Sequence, residues 1–152
     1  MKKDFSLVSF VIQKALELWP IFFEEYKLAL NNKEGLYFSV CDLTNHYNSA
    51  GLIVGRLEDN ERPEKMMYAW EKVCRLLTGA PFHMTSFATQ NYSEKKFGGG
   101  IKVYNLIAAA SNLPPEYDHL FVLRVLKATG NLGDQENENI QAEFERYKDI
   151  GK

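Results

Sequence analysis

The segment Leu36-Tyr37-Phe38-Ser39-Val40-Cys41-Asp42-Leu43-Thr44-Asn45-His46-Tyr47 decides how the chain is read, because it satisfies two patterns at once. Leu36, Phe38 and Val40 alternate, the period of a strand. Leu36, Val40, Leu43 and Tyr47 also fall at i, i+4, i+7 and i+11, the period of one helix face. The helical match runs longer and predicts a helix over 36–47. Asn45, Asn48, Ser49 and Gly51 then weaken helical structure, and Leu52-Ile53-Val54 suits a strand or a helix. Room is left for a minor two-stranded β element near residues 36–54.

On the N-terminal side, Val8, Ile12, Ala15 and Trp19 recur at helical intervals and predict a helix over 5–19. Pro20 lacks the N–H that would continue the ladder, so it kinks that helix or opens a second one over 21–30. On the C-terminal side, Met66, Trp70, Val73 and Leu77 form one stripe between Asn60 and the stop at Gly79-Ala80-Pro81. Val103, Ile107 and Ala110 predict a helix over 101–110, supported by the helix-favouring run Ala108–Ala110. Pro115 opens another helix, almost wholly apolar over 120–126. Ile140, Phe144 and Tyr147 mark a last one over 135–149. The expected fold is mainly α: a compact single-domain helical bundle of about five to seven helices spanning residues 1–152.

The length of 152 residues suits one domain, which needs no disulfide or metal to hold its core. A net charge of −2, with Lys95–Lys96 the densest basic stretch, argues against binding to nucleic acid through a basic patch. Met1-Lys2-Lys3-Asp4 leads into a short apolar run broken by Lys14 and Glu17, with no export cleavage site. No apolar stretch approaches the ~20 residues a membrane span needs. A cytoplasmic protein with reduced thiols at Cys41 and Cys74 is expected.

The longest irregular segment, 80–100, closes on Lys95-Lys96-Phe97-Gly98-Gly99-Gly100, and long loops in small domains are often functional. Tyr92, Lys95, Lys96, Gly98, Gly99, Gly100 and Lys102 form a candidate site for a phosphorylated or nucleotide-like molecule: glycines let backbone N–H groups approach an anion, and a following helix would offer its positive end. The spacing matches neither the phosphate-loop nor the dinucleotide pattern. Asp42 and His46, at i and i+4, would pair on one helix face, and His83 lies near Ser86; either would suit a hydrolase-type enzyme. No nucleophile-elbow glycines surround Ser86, and Cys74, beside Val73, is expected to be buried and inert. An enzyme is therefore the less favoured reading, with no catalytic residues assigned. Neither cysteine has a ligand at a standard interval, so no metal or cofactor is assigned.

Aromatics reach 13% of residues, and Trp19, Phe22, Phe23 and Tyr26 crowd one helix over an arc wider than a core-facing stripe requires. Such a surface suits a second subunit or another protein. The leading expectation is a non-enzymatic interaction module, an oligomerising adaptor, inhibitor or regulator. A small-ligand binder is the second and a hydrolase the third.

Overall fold

A computed structural model describes residues 6–152. It corrects the expected fold class. The described residues form an α/β fold of four helices and one four-stranded antiparallel sheet, not a mainly helical bundle. The helices are α1 (Leu7–Tyr26), α2 (Arg62–Thr78), α3 (Pro115–Ala128) and α4 (Asp134–Tyr147). The strands are β1 (Gly35–Asp42), β2 (Ser49–Gly55), β3 (Gly100–Lys102) and β4 (Leu106–Ser111), in the order β2-β1-β4-β3.

The ambiguous segment is β1, and burial on both faces explains its double pattern. Leu36, Phe38 and Val40 join the core shared with α1 and α3, while Cys41 points into a smaller core with Val73 and Leu76 of α2. A strand covered on both faces reads as a near-continuous apolar run, not as clean alternation. The longer helical match is broken by the turn after β1, where His46 and Tyr47 take φ of 52° and 55°. Leu43 and Tyr47, which completed that match, lie beyond the strand.

The predicted helix over 101–110 is likewise two strands of a hairpin. Ile101 pairs with Ala108, and Phe38 of β1 pairs with Ala110. The run Ala108–Ala110 favours a helix in isolation, but here it lies at the sheet centre. Small side chains there let α2 approach one face and α3 the other, and all three alanines are fully buried. Tertiary burial overrides local propensity.

Of the two alternatives left open at Pro20, no second helix opens there: α1 runs through Pro20 to Tyr26. The expected start at Phe5 lies outside the described residues. Proline inside a helix costs about 3 kcal/mol, offset by one buried stripe of Val8, Val11, Ala15, Trp19 and Phe22. Ser6 caps the helix, its hydroxyl accepting the Ser9 N–H at 3.1 Å. The remaining predicted helices correspond to α2, α3 and α4.

The layers follow from these contacts. α2 covers one face of the sheet; α1 and α3 cover the other. α4 lies at the side, packed on a 3-10 turn at Ser86–Thr89, with Ile140 reaching the main core. Among the described residues no helix is long and apolar enough to cross a membrane.

Candidate functional site

A pocket of about 250 Å³ opens between α2, the first turn of α3, the end of β4 and the loop before β3. α2 supplies Glu64, Lys65, Tyr68 and Lys72, spaced so that successive turns present them on one side of the helix. Pro115 and Asp118 come from α3, Ser111, Asn112 and Leu113 from the end of β4, and Tyr92 and Phe97 from the loop.

The floor is an ion pair. Lys72 and Asp118 are both almost fully buried, with side-chain exposures of 2% and 3% and Nζ 3.6 Å from Oδ2. Nζ donates to the Ala110 carbonyl at 2.6 Å, and Asp118 Oδ1 accepts the Leu113 N–H at 3.1 Å. Burial pulls the Lys72 ammonium below its usual range, with Asp118 opposing that effect. Burial likewise pushes the Asp118 carboxyl up to about 6, against the pull of Lys72. Burial thus works against the charge of both groups, and each lies where its partner's charge counters that effect.

Gly99 makes this floor possible. Its φ is +116°, and a Cβ there would lie 2.7 Å from Asp118 Cβ and 3.0 Å from Lys72 Nζ. Gly98 lies flat beneath Phe87, a Cβ there meeting the ring at 2.3 Å, and the Gly100 N–H donates to Ser86 Oγ at 2.8 Å. The glycines are therefore close-packing positions leading into a strand. No helix begins after them, so the positive helix end that an anion cradle needs is missing there.

The walls are aromatic. Phe97 meets Tyr68 edge-on with centroids 5.3 Å apart, and Tyr92 at 5.1 Å. Arg75, one turn beyond Lys72, fixes the loop that carries two of these rings. It donates to the carbonyls of Ser86 (3.2 Å), Thr89 (3.0 Å) and Phe97, while Glu71 holds its Nε at 3.1 Å. From the other side, Gln90 Nε2 donates towards the α4-end carbonyls of Tyr147, Lys148 and Ile150. The Tyr92 N–H donates to Gly151 at 2.7 Å.

Asn112 adds strain to the wall. It is a non-glycine residue at φ +145°; its Nδ2 donates to the Gly35 carbonyl at 2.8 Å, while its Oδ1 is buried without a partner. Strained backbone and unmet polar atoms concentrate at functional sites.

The other residues singled out in the sequence lie apart. Lys95 is exposed, Lys96 pairs with Glu94 at 2.9 Å, and Lys102 reaches the Leu76 carbonyl at 3.4 Å. Of the candidate ligand segment, Tyr92 lines the pocket, and Gly99 lies against its floor. Trp19 and Phe22 are core residues packed on Phe121, with Phe23 and Tyr26 half-buried beside them. Asp42 accepts the N–H and hydroxyl of Thr44 at 2.8 and 2.7 Å, and His46 is exposed in the hairpin turn, so the expected helical pair does not form. His83 lines a separate groove with Glu143, whose carboxylate is occupied by the N–H groups of Met84 and Thr85. Ser86 is fully buried, whereas Cys74 is exposed, contrary to the expectation for it. Among the described residues no three His, Cys, Asp or Glu side chains gather as a metal site.

Sequence reasoning missed Lys72 and Asp118. One signal was present: Lys72 interrupts the apolar side of α2 between Ala69 and Val73, where only a buried partner makes a charge tolerable. No protein-family model, curated protein or solved structure matches the chain.

Proposed function

We propose that the chain is a small-molecule-binding domain whose ligand occupies the pocket between Tyr68, Tyr92 and Phe97. One observation carries this reading: an aromatic-walled cavity whose floor is a buried ammonium–carboxylate pair with hydrogen-bonding capacity to spare. An ammonium has three N–H donors; Lys72 spends one on Ala110, and 3.6 Å to Asp118 is too long for a hydrogen bond. Ligand sites characteristically combine apolar walls with a few convergent polar groups. The shared volume with the predicted segment is limited to Tyr92, Phe97 and the adjoining glycine.

The test is a fragment screen by protein-observed NMR on the full chain. Hits are expected to shift the backbone amides of Ser111, Asn112 and Leu113 and to lose affinity in Tyr68→Ala. A diverse library that leaves these amides unmoved overturns the reading.

A second reading, the non-enzymatic interaction module, is favoured by a different place from the one the sequence indicated. Phe82 is 75% exposed and Tyr104 90% exposed, flanking a groove lined by Leu43, Pro81, Met84 and Val103. Large exposed aromatics around an apolar groove suit a protein partner or a second copy. Sedimentation of the parent and of Phe82→Ser/Tyr104→Ser tests self-association. A monomer at all concentrations removes the oligomer form of this reading.

A further inference from the structure

The pocket's charges are matched in pairs. Lys72 faces Asp118 at 3.6 Å on the floor, Lys65 lies 3.4 Å from Glu64 at the mouth, and beside the pocket Lys152 holds Glu116 at 3.1 Å. A charged ligand would leave one charge uncompensated where the floor groups are almost wholly removed from water, and a buried unpaired charge is strongly unfavourable. The lysines that would have favoured an anion point elsewhere: Lys96 to Glu94 and Lys102 to Leu76.

The floor also offers both senses of hydrogen bond side by side. Lys72 has N–H groups beyond the one given to Ala110, and Asp118 Oδ2 faces Lys72 at 3.6 Å, with the Leu113 and Asn112 N–H groups beside the carboxylate. Asn112 Oδ1, in the adjoining wall, is an acceptor with no donor. A ligand atom pair that donates to the Asp118 carboxylate and accepts from the Lys72 ammonium completes both floor groups. Above the floor, Tyr68, Tyr92 and Phe97 pack edge-on and line the cavity as an aromatic wall against which a flat apolar body can lie.

Resting on the reading of this pocket as a ligand site, we propose that it takes an uncharged, planar aromatic molecule carrying a hydrogen-bond donor next to an acceptor. A primary aromatic carboxamide or the lactam edge of a nitrogen heterocycle has this chemistry. The ring lies among the three aromatic side chains, and the polar edge bridges Lys72 and Asp118. Specificity comes from the pair: it rewards a donor–acceptor edge and rejects net charge of either sign.

Three probes of nearly equal size test this: benzamide, benzoate and benzylammonium, titrated at neutral pH into the isotope-labelled full chain. Benzamide is expected to shift the amides of Ser111, Asn112 and Leu113, and to bind at least about tenfold more tightly than either ion. Asp118→Asn, which keeps shape but leaves the floor net positive, is expected to reverse the order so that benzoate binds more tightly than benzamide. If that variant does not fold, the three titrations of the parent chain decide alone. Benzoate or benzylammonium binding as tightly as benzamide at the same amides overturns the ligand class and leaves the pocket reading standing. Silence from all three while other fragments bind there also overturns the class. Silence from every fragment overturns both.

Discussion

Asp118 and His119 are neighbours on α3, both almost fully buried, and the fold handles them in opposite ways. Asp118 points to the α2 side, where it keeps its charge beside Lys72 and takes the Leu113 N–H. His119 points to the α4 side, stacked on Phe144 at 4.8 Å and edge-on to Phe87 at 5.5 Å. Neither of its ring nitrogens has a hydrogen-bond partner, and Gln141 lies close enough only to soften the effect of burial, which lowers its pKa to about 4. Burial works against the charge of both; for Asp118 a facing lysine and backbone N–H groups counter it, whereas for His119, set between two rings, Gln141 and Glu116 counter it less. A partnered charge beside a cavity can act on a ligand, whereas an unpartnered neutral imidazole between two rings fills space.

The largest effect should come from breaking the partnership. Lys72→Ala leaves a carboxylate buried alone, and Asp118→Ala leaves an ammonium alone. Each is expected to lose about 3–5 kcal/mol of unfolding free energy, whereas Lys72→Met/Asp118→Leu should lie much closer to the parent. Urea denaturation of the four proteins measures this. A single variant as stable as the double would show that the surviving charge finds another partner or water.

The next effect sets the two neighbours against each other in acid. His119 has a folded pKa of about 4 against an ordinary 6.5, so its contribution is complete above 6.5 and is lost as pH falls through 4. Asp118 has a folded pKa of about 6 against 3.8, so its contribution is complete below 3.8 and is lost as pH rises through 6. Each is worth at most roughly 3 kcal/mol, and between about pH 4 and 6 the two oppose. His119→Phe should therefore gain stability relative to the parent as pH falls from 6.5 to 4, while Asp118→Asn should lose it. Unfolding curves across that window check the signs; a parallel response of both variants would mean that other groups govern the acid limb.

A glycine comparison comes third. Gly99→Ala places a methyl group against Asp118 and Lys72 at φ +116°, whereas Gly130, at φ +72°, has open space where a Cβ would go. The Gly130 change should cost about 1 kcal/mol, from the left-handed backbone alone, and the Gly99 change should cost more and disturb the pocket floor. Thermal unfolding of the two variants, with the Leu113 amide as a reporter, distinguishes them.

How much of this was legible in the sequence follows from which forces act locally. α2, α3 and α4 could be read because each combines a stop or start residue with one apolar side. β1 was legible only as the lesser of two patterns, since a longer helical match overlay the alternation of Leu36, Phe38 and Val40. The two-stranded element allowed near 36–54 is nonetheless the β1–β2 hairpin. β4 could not be read, because the alanines that favour a helix are the small residues a central strand needs. The aromatics of α1 were visible as unusual, but their excess feeds the packing of Trp19 and Phe22 onto Phe121, which is distant in sequence. The glycine-rich segment stands out in the sequence, but not what its glycines pack against: Gly99 makes room for a lysine of α2 and an aspartate of α3. A pair whose members are 46 positions apart leaves no spacing to recognise.

The smallest expected effect separates the two accounts of that segment. If the loop bound ligands through its basic residues, Lys95→Ala/Lys96→Ala would abolish binding. In the structure Lys95 is exposed, Lys96 makes only a solvent-facing pair with Glu94, and neither lines the pocket. An exposed pair of this kind contributes about 0–1 kcal/mol. The double variant should therefore unfold within that margin of the parent and bind any pocket fragment with unchanged affinity, as read by the Ser111–Leu113 amides. Loss of binding in this variant, with the fold intact, would return the site to the loop and make Lys72 and Asp118 a structural pair of the same kind as His119: buried, tolerated and silent.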